Sequence, residues 1–242
     1  MKLRMRFWGW WRKAEKVMES KIVEISRKVL DRLCAMGCEG HDLVSDERLI
    51  YPVKTGKEKR ISEQELRFLF VKTFLEDENF DGYCYSVETP TEIKYSFGKK
   101  IEDIKVGIGK SGSIDMSLFE KNSNLLNRLF NIEFKFDNVP LQNFAKDIVK
   151  LMHEKESGAF ILLLENTEIN KTLNSVYSKF STSLDTHKKK WRGEKNKSIL
   201  LVLLSLEIET NKNKVAFIKY RKVIESDLET IKSNIQNGWI YN

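Results

Sequence analysis

Cysteine, proline and histidine are scarce in this chain, with three of each among 242 residues. Three cysteines cannot close a disulfide framework, so the expected setting is a reducing one, the cytoplasm. Cys34, Cys38 and His41 fall close together, but C-x3-C-x2-H has no second pair to complete a tetrahedron, and Cys84 is remote. Ordinary half-buried thiols explain them better than zinc. None of His41, His153 and His187 accompanies a Ser or Cys in a nucleophile-elbow context, which argues against hydrolase triads. There is no G-x-x-x-x-G-K-[ST] loop. "GIGKSG" (107–112) lacks that spacing and leads into a strand, so it reads as a tight turn. The longest apolar runs, "AFILLLE" and "SILLVLLSLE", are far short of the ~20 residues that span a bilayer, and read as central strands. At the N-terminus only Phe7 to Trp11 are apolar, so no cleavable signal is expected.

What the chain does have is 41% hydrophobic residues, enough for a sizeable core, and a net charge of +7 from 42 Lys and Arg against 35 Asp and Glu. That surplus permits a polyanionic partner without demanding one. Much of it sits in "THKKKWRGEKNK" (186–197), where Lys188, Lys189, Lys190, Trp191 and Arg192 read either as a solvated loop or as a phosphate-tracking loop with a stacking aromatic. Trp8, Trp10 and Trp11 beside basic residues suit packing of an arm onto the body, an oligomer contact, or a surface contact with membrane or bases.

No linker divides the chain, so one globular unit is expected, with residues 1–60 as a basic, Trp-rich arm, helix and loop ahead of a main domain at 61–242. Helical spacing of Val17, Ile22, Ile25, Val29, Leu30 and Leu33 predicts a helix over 11–36. Ser62 and Glu65 form a capping box opening a second helix. "YCYSVETP", "TEIKYSF", "SGSIDMSLFE" and "LFNIEFKF" read as strands, "PLQNFAKDIVKLMHEK" as an amphipathic helix, and "GAFILLLEN" as a strand buried on both faces. "EINKTLNSVYSKFSTSL" returns to helix, "SILLVLLSLE" and "KVAFIKYRKV" to strand, and 225–236 closes as helix. This order predicts an α/β fold around a mixed sheet.

Side chains alternate across a strand, so in "NIEFKFDN" Ile132, Phe134 and Phe136 face a core while Glu133 and Lys135 face the other way together. Asp115 holds the equivalent polar-face position in the preceding strand. If the two strands are hairpin neighbours, Asp115 and Glu133 converge, and a divalent cation relieves their repulsion. Hard oxygen ligands favour Mg²⁺ or Mn²⁺ over zinc. Taken alone, Glu133 and Lys135 read better as a structural salt bridge on a solvent-facing strand surface.

An acidic residue on one strand, Glu-x-Lys on the next, a Glu-bearing helix before and an amphipathic helix after resemble the PD-(D/E)XK nuclease superfamily, over roughly residues 61–165. The residue before Asp115 is Ile114, where the superfamily's name has Pro, and "TEIK" (92 to 94 carrying Glu-x-Lys) repeats the short motif. The resemblance implies a restriction-endonuclease-like three-layer α/β/α core with a central mixed β-sheet and an N-terminal helical arm. It implies that Asp115 and Glu133 bind Mg²⁺ (or Mn²⁺) with the Phe134 carbonyl as a third ligand, and that Lys135 positions the attacking water. It also implies a helix acid, for which Glu63 is preferred over Glu65 because the capping box accounts for the latter, and auxiliary groups near Gln142 and Lys146. For those two an ordinary exposed helix residue is the alternative reading. Glu88 and Pro90 are at a strand end that could line the same cleft.

The expectation is a Mg²⁺-dependent endonuclease acting on DNA, with RNA and a homodimer left open. The alternative is an inactive fold of this kind serving as a nucleic-acid or protein binding module. A membrane-peripheral role ranks last.

Overall fold

The computed structural model describes residues 2–39, 47–54, 59–122, 124–193, 196–209 and 214–241, with backbone alone for 2–16, 208–209 and 214. His41 lies outside the described residues, and Trp8, Trp10 and Trp11 fall on the backbone-only stretch. In chain order the elements are α1 (Lys2–Ala35), α2 (Glu63–Glu76), β1 (Tyr83–Ser96), β2 (Lys105–Val106), β3 (Lys110–Asn122), β4 (Leu125–Phe136), α3 (Leu141–His153), β5 (Ser157–Thr167), α4 (Asn174–His187), β6 (Ser198–Glu209), β7 (Lys214–Ile224), α5 (Ile231–Asn234) and β8 (Ile240–Tyr241).

The strands form one mixed sheet in the order β2-β1-β3-β4-β5-β6-β7-β8. β1, β3 and β4 run as an antiparallel meander. β4, β5 and β6 are parallel, joined through α3 and α4, and β7 and β8 return antiparallel. β5 explains its own sequence: Ala159, Ile161 and Leu163 enter one core while Phe160, Leu162 and Leu164 enter the other. The first core also holds Ile22, Ile25 and Val29 of α1 and Leu66, Phe70 and Phe74 of α2. The second holds Phe144, Ile148 and Met152 of α3 with Val176, Phe180 and Leu184 of α4. Helices therefore cover both faces, which is the arrangement a doubly buried parallel strand requires. α1 shares the first core with α2 and the sheet, so the leading helix is built into the same body as residues 61–242. No helix among the described residues is long and apolar enough to cross a membrane.

Three expectations change in detail. "YCYSVETP" and "TEIKYSF" form the single strand β1, with a register shift between Pro90 and Lys94, where proline cannot donate to the ladder. The helix expected from 225 to 236 is a 3₁₀ turn, Glu225–Glu229, and the one-turn α5. Asp227 caps the Ile224 N–H at 2.9 Å and Ser233 bonds the Thr230 carbonyl at 3.0 Å, local bonds that compete with a longer helix. The leading helix begins at Lys2, well before residue 11.

Beyond its shift, the β1–β3 hairpin folds over α3. Tyr95, Ile101 and Ile104 pack on Ala145 and Val149 of that helix, so α3 is buried on two sides. Gly109 (φ +100°) lets the turn before β3 lie close against β1, because a Cβ there would be 2.2 Å from the Tyr95 carbonyl oxygen. "GIGKSG" is thus a tight turn into β3, as expected.

Candidate active site

The site begins where a ladder stops. β3 and β4 pair from Asn122↔Leu125 to Met116↔Ile132, and no further. β4 continues alongside β5 as far as Phe136↔Leu163, so its edge toward β3 is open from Glu133 onward. In that opening the Asp115 carboxylate accepts the Phe134 N–H at 2.8 Å, doing the work of the missing strand partner. A strand residue's N–H and C=O project to the same edge, so the Phe134 carbonyl opens onto the same gap. The Phe134 ring stays in the first core, edge-on to Phe70.

Glu133 is 1% exposed. Lys150 of α3 brings its ammonium 2.7 Å from one carboxylate oxygen, and the other oxygen has no hydrogen-bond donor among the described residues. Burial drives the Glu133 pKa well above the usual carboxylate range. Lys150 opposes that rise, while Asp147 and Asp115 add to it. Lys150 is also 2.9 Å from Asp147 and donates to the Ser113 carbonyl at 2.8 Å. Burial disfavours its charge, but Glu133 and Asp147 outweigh that and raise its pKa.

Lys135 reaches Asp147 at 2.8 Å and Glu63 at 3.7 Å. Burial again works against the cation, and Asp147, Glu63 and Asp115 overcome it, leaving the pKa above the ordinary lysine value. Glu63, at the first turn of α2, has a pKa raised mainly by burial. Its neighbour Glu65 is occupied as expected: it accepts from the Ser62 N–H at 2.7 Å and completes the capping box. Arg67, one turn after Glu63, bonds Glu88 at 2.8 Å and lies 3.7 Å from Asp115. Ser113 also donates to Glu88, at 2.7 Å.

Glu63, Asp115, Glu133 and Lys135 therefore come together, and Glu88 joins them at the rim. Gln142 and Lys146 do not: Gln142 donates to the Gly98 carbonyl and Lys146 lies over the Phe97 ring, on the hairpin side of α3. Arg67, Asp147 and Lys150 are the members that sequence reasoning missed. Their signal was spacing, since Arg67 is four residues from Glu63 and Asp147 and Lys150 are three apart on a helix otherwise packed with apolar residues. In the basic run, Lys188 pairs with Asp185 and Glu229, Lys190 donates to the Ile104 carbonyl, and Trp191 packs on the second core. Lys189 and Arg192 remain exposed.

With every carboxyl ionised, Glu63, Glu88, Asp115, Glu133 and Asp147 would outnumber by two the cations they pair with among the described residues, Arg67, Lys135 and Lys150. Among the described residues no three acidic, His or Cys side chains converge as a ready-made metal cage. A Mg²⁺ site asks for less, typically one or two carboxylates with water and substrate oxygens completing the octahedron. Asp115, the second oxygen of buried Glu133 and the open edge at Phe134 fit that requirement.

No known protein family and no curated protein matches this chain. Among solved structures, the central domain of yeast acetyl-CoA carboxylase aligns with 86% of this chain and 34% of its own, at 7% identity and a TM-score of 0.29. The chain thus spans about a third of that central-domain chain, and a likeness this slight carries no argument about fold or activity.

Proposed function

We propose that this chain is a divalent-metal-dependent nuclease with a restriction-endonuclease-like core, hydrolysing phosphodiester bonds of DNA. The observation that carries the reading is the break between β3 and β4, where Asp115, buried Glu133 and Lys135 gather around an unpaired strand edge. A metal held by Asp115, Glu133 and the Phe134 carbonyl would acidify a bound water and offset charge on the phosphate.

The chain's own residues divide the remaining work. Lys135 is held protonated by its acidic neighbours, so its role is to donate to the attacking water and to the phosphate, not to remove a proton. Glu63, 3.7 Å from that ammonium and with its pKa raised mainly by burial, suits a proton acceptor for the same water. Asp147 holds Lys135 in place at 2.8 Å. Lys150 shares Asp147, so it has an alternative partner whenever Glu133 turns to another cation.

One observation favours the second reading, an inert fold that only binds. Lys150 already supplies Glu133 with an internal counter-ion. Titration calorimetry with Mg²⁺ and Mn²⁺ separates the two. The nuclease reading expects binding that is lost in Asp115→Asn, whereas the inert fold gives no heat that depends on Asp115.

A further inference from the structure

Arg67 is unevenly satisfied. One terminal nitrogen, Nη2, bonds the Glu88 carboxylate at 2.8 Å and lies 3.5 Å from the Asp115 carbonyl. The other, Nη1, is 3.9 Å from Glu63 and 3.7 Å from Asp115, too far for hydrogen bonds to either. Nη1 thus lies near two of the site's acids without a partner in bonding range among the described residues, on a side chain 19% exposed. Glu88, which holds the opposite edge of the guanidinium, sits at φ +48° inside a strand, a left-handed conformation that non-glycine residues rarely adopt. Such strain persists where the surroundings impose it, and here the surroundings are Arg67 and the Ser113 hydroxyl, both bonded to the Glu88 carboxylate. Arg67 in turn pulls the Glu88 pKa down, so Glu88 stays ionised as its anchor.

We infer that Arg67 forms a phosphate subsite beside Asp115, its free edge receiving a non-bridging oxygen of the nucleic-acid backbone, and that Glu88 is the positioning residue that aims it. The inference rests on the nuclease reading for its choice of ligand. A planar fork with one edge fixed and one free is suited to a phosphate, and lysine would supply charge there without the two-point geometry. The arrangement also explains why a cation stands next to a carboxylate proposed to hold metal without bonding to it. The guanidinium is drawn toward Glu88 and leaves the Asp115 oxygens to the Phe134 N–H and the gap.

The test is equilibrium binding of a DNA duplex over a range of salt, with EDTA and again with Ca²⁺, for wild type, Arg67→Ala, Arg67→Lys and Glu88→Gln. Arg67→Ala should weaken binding about 10- to 100-fold, the worth of a charge-assisted hydrogen bond. It should also make the log–log salt slope shallower by about 0.9, one phosphate contact. Arg67→Lys should recover part of the affinity and the full slope, and Glu88→Gln should weaken binding less than Arg67→Ala. Where the wild type cleaves, the loss should appear in KM more than in kcat. Wild-type affinity and slope in both Arg67 variants, or a kcat loss with KM unchanged, would overturn the subsite. If Arg67→Ala leaves binding intact while Asp115→Ala abolishes cleavage, the subsite fails and the nuclease reading stands. If Arg67→Ala weakens binding but no metal supports cleavage by the wild type, the reverse holds.

Discussion

The Asp115 carboxylate takes the Phe134 N–H at 2.8 Å, in the position where a strand partner would otherwise stand. This bond does two jobs, closing an open backbone donor and setting the acid beside Glu133, and substitutions can separate them. Asp115→Asn keeps an acceptor oxygen and should fold nearly as well as wild type. Asp115→Ala strands the N–H and should lower unfolding free energy by about 1–3 kcal/mol in urea titrations. Both should lose metal binding. Equal stability of the two variants would mean that the bond adds little.

Lys150 is the counter-ion of a fully buried acid. Lys150→Met should destabilise the fold by about 3–5 kcal/mol, because Glu133 is left buried without a cation. The double variant Glu133→Gln/Lys150→Met should recover most of that loss. A double-mutant cycle with no coupling between the two positions would sink the pairing.

Much of this site could be read from the chain, and the misses have physical causes. Alternation along a strand, which needs only local geometry, set Asp115, Glu133 and Lys135 on one face, whereas Glu63 came from the family resemblance. The capping box was equally local, and it separated Glu65 from Glu63. Asp147 and Lys150 were passed over for Gln142 and Lys146 because the face that α3 turns to the site depends on the β1–β3 hairpin covering Ala145 and Val149. β1 also carries an irregularity between Pro90 and Lys94, which no periodicity announces. The basic run at 188–192 read either as a solvated loop or as a phosphate-tracking one, but Lys190 and Trp191 are drawn onto the body through Ile104 and the second core.

Lys197 is the hidden fastener of that run. It is 2% exposed and donates to the carbonyls of Met152 at 2.8 Å, Arg192 at 2.7 Å and Glu154, with the Trp191 ring 5.4 Å away. Lys197→Met keeps the stem and removes the donors, leaving three carbonyls short of a partner, at a loss of about 3 kcal/mol or more. Trypsin should then cut within 188–192 faster than in the wild type. Unchanged stability and cleavage kinetics would contradict this role.

His187 should make the fold acid-sensitive. It is 2% exposed, its Nε2 has no hydrogen-bond partner, and burial, helped by nearby Lys190, lowers its pKa to about 4. The unfolded chain, with an ordinary histidine pKa near 6.5, binds more protons between these values, so stability is full above about 6.5 and falls as pH drops toward 4. Carboxylates also titrate in that range, so the comparison is between wild type and His187→Leu. The variant should lose less stability from pH 6.5 to 4, and parallel curves would remove His187 as a cause.

The central claim is that Asp115 and Lys135 serve phosphodiester hydrolysis, and cleavage of supercoiled, linear and single-stranded DNA with Mg²⁺, Mn²⁺ or EDTA tests it most directly. The wild type should cut with a divalent metal and not with EDTA. Folded Asp115→Asn and Lys135→Ala should each lose that activity by at least two orders of magnitude, roughly the scale of removing one electrostatic contact at a reacting centre. No cleavage by the wild type with either metal on any of these substrates, or cleavage that survives both substitutions, would contradict the account.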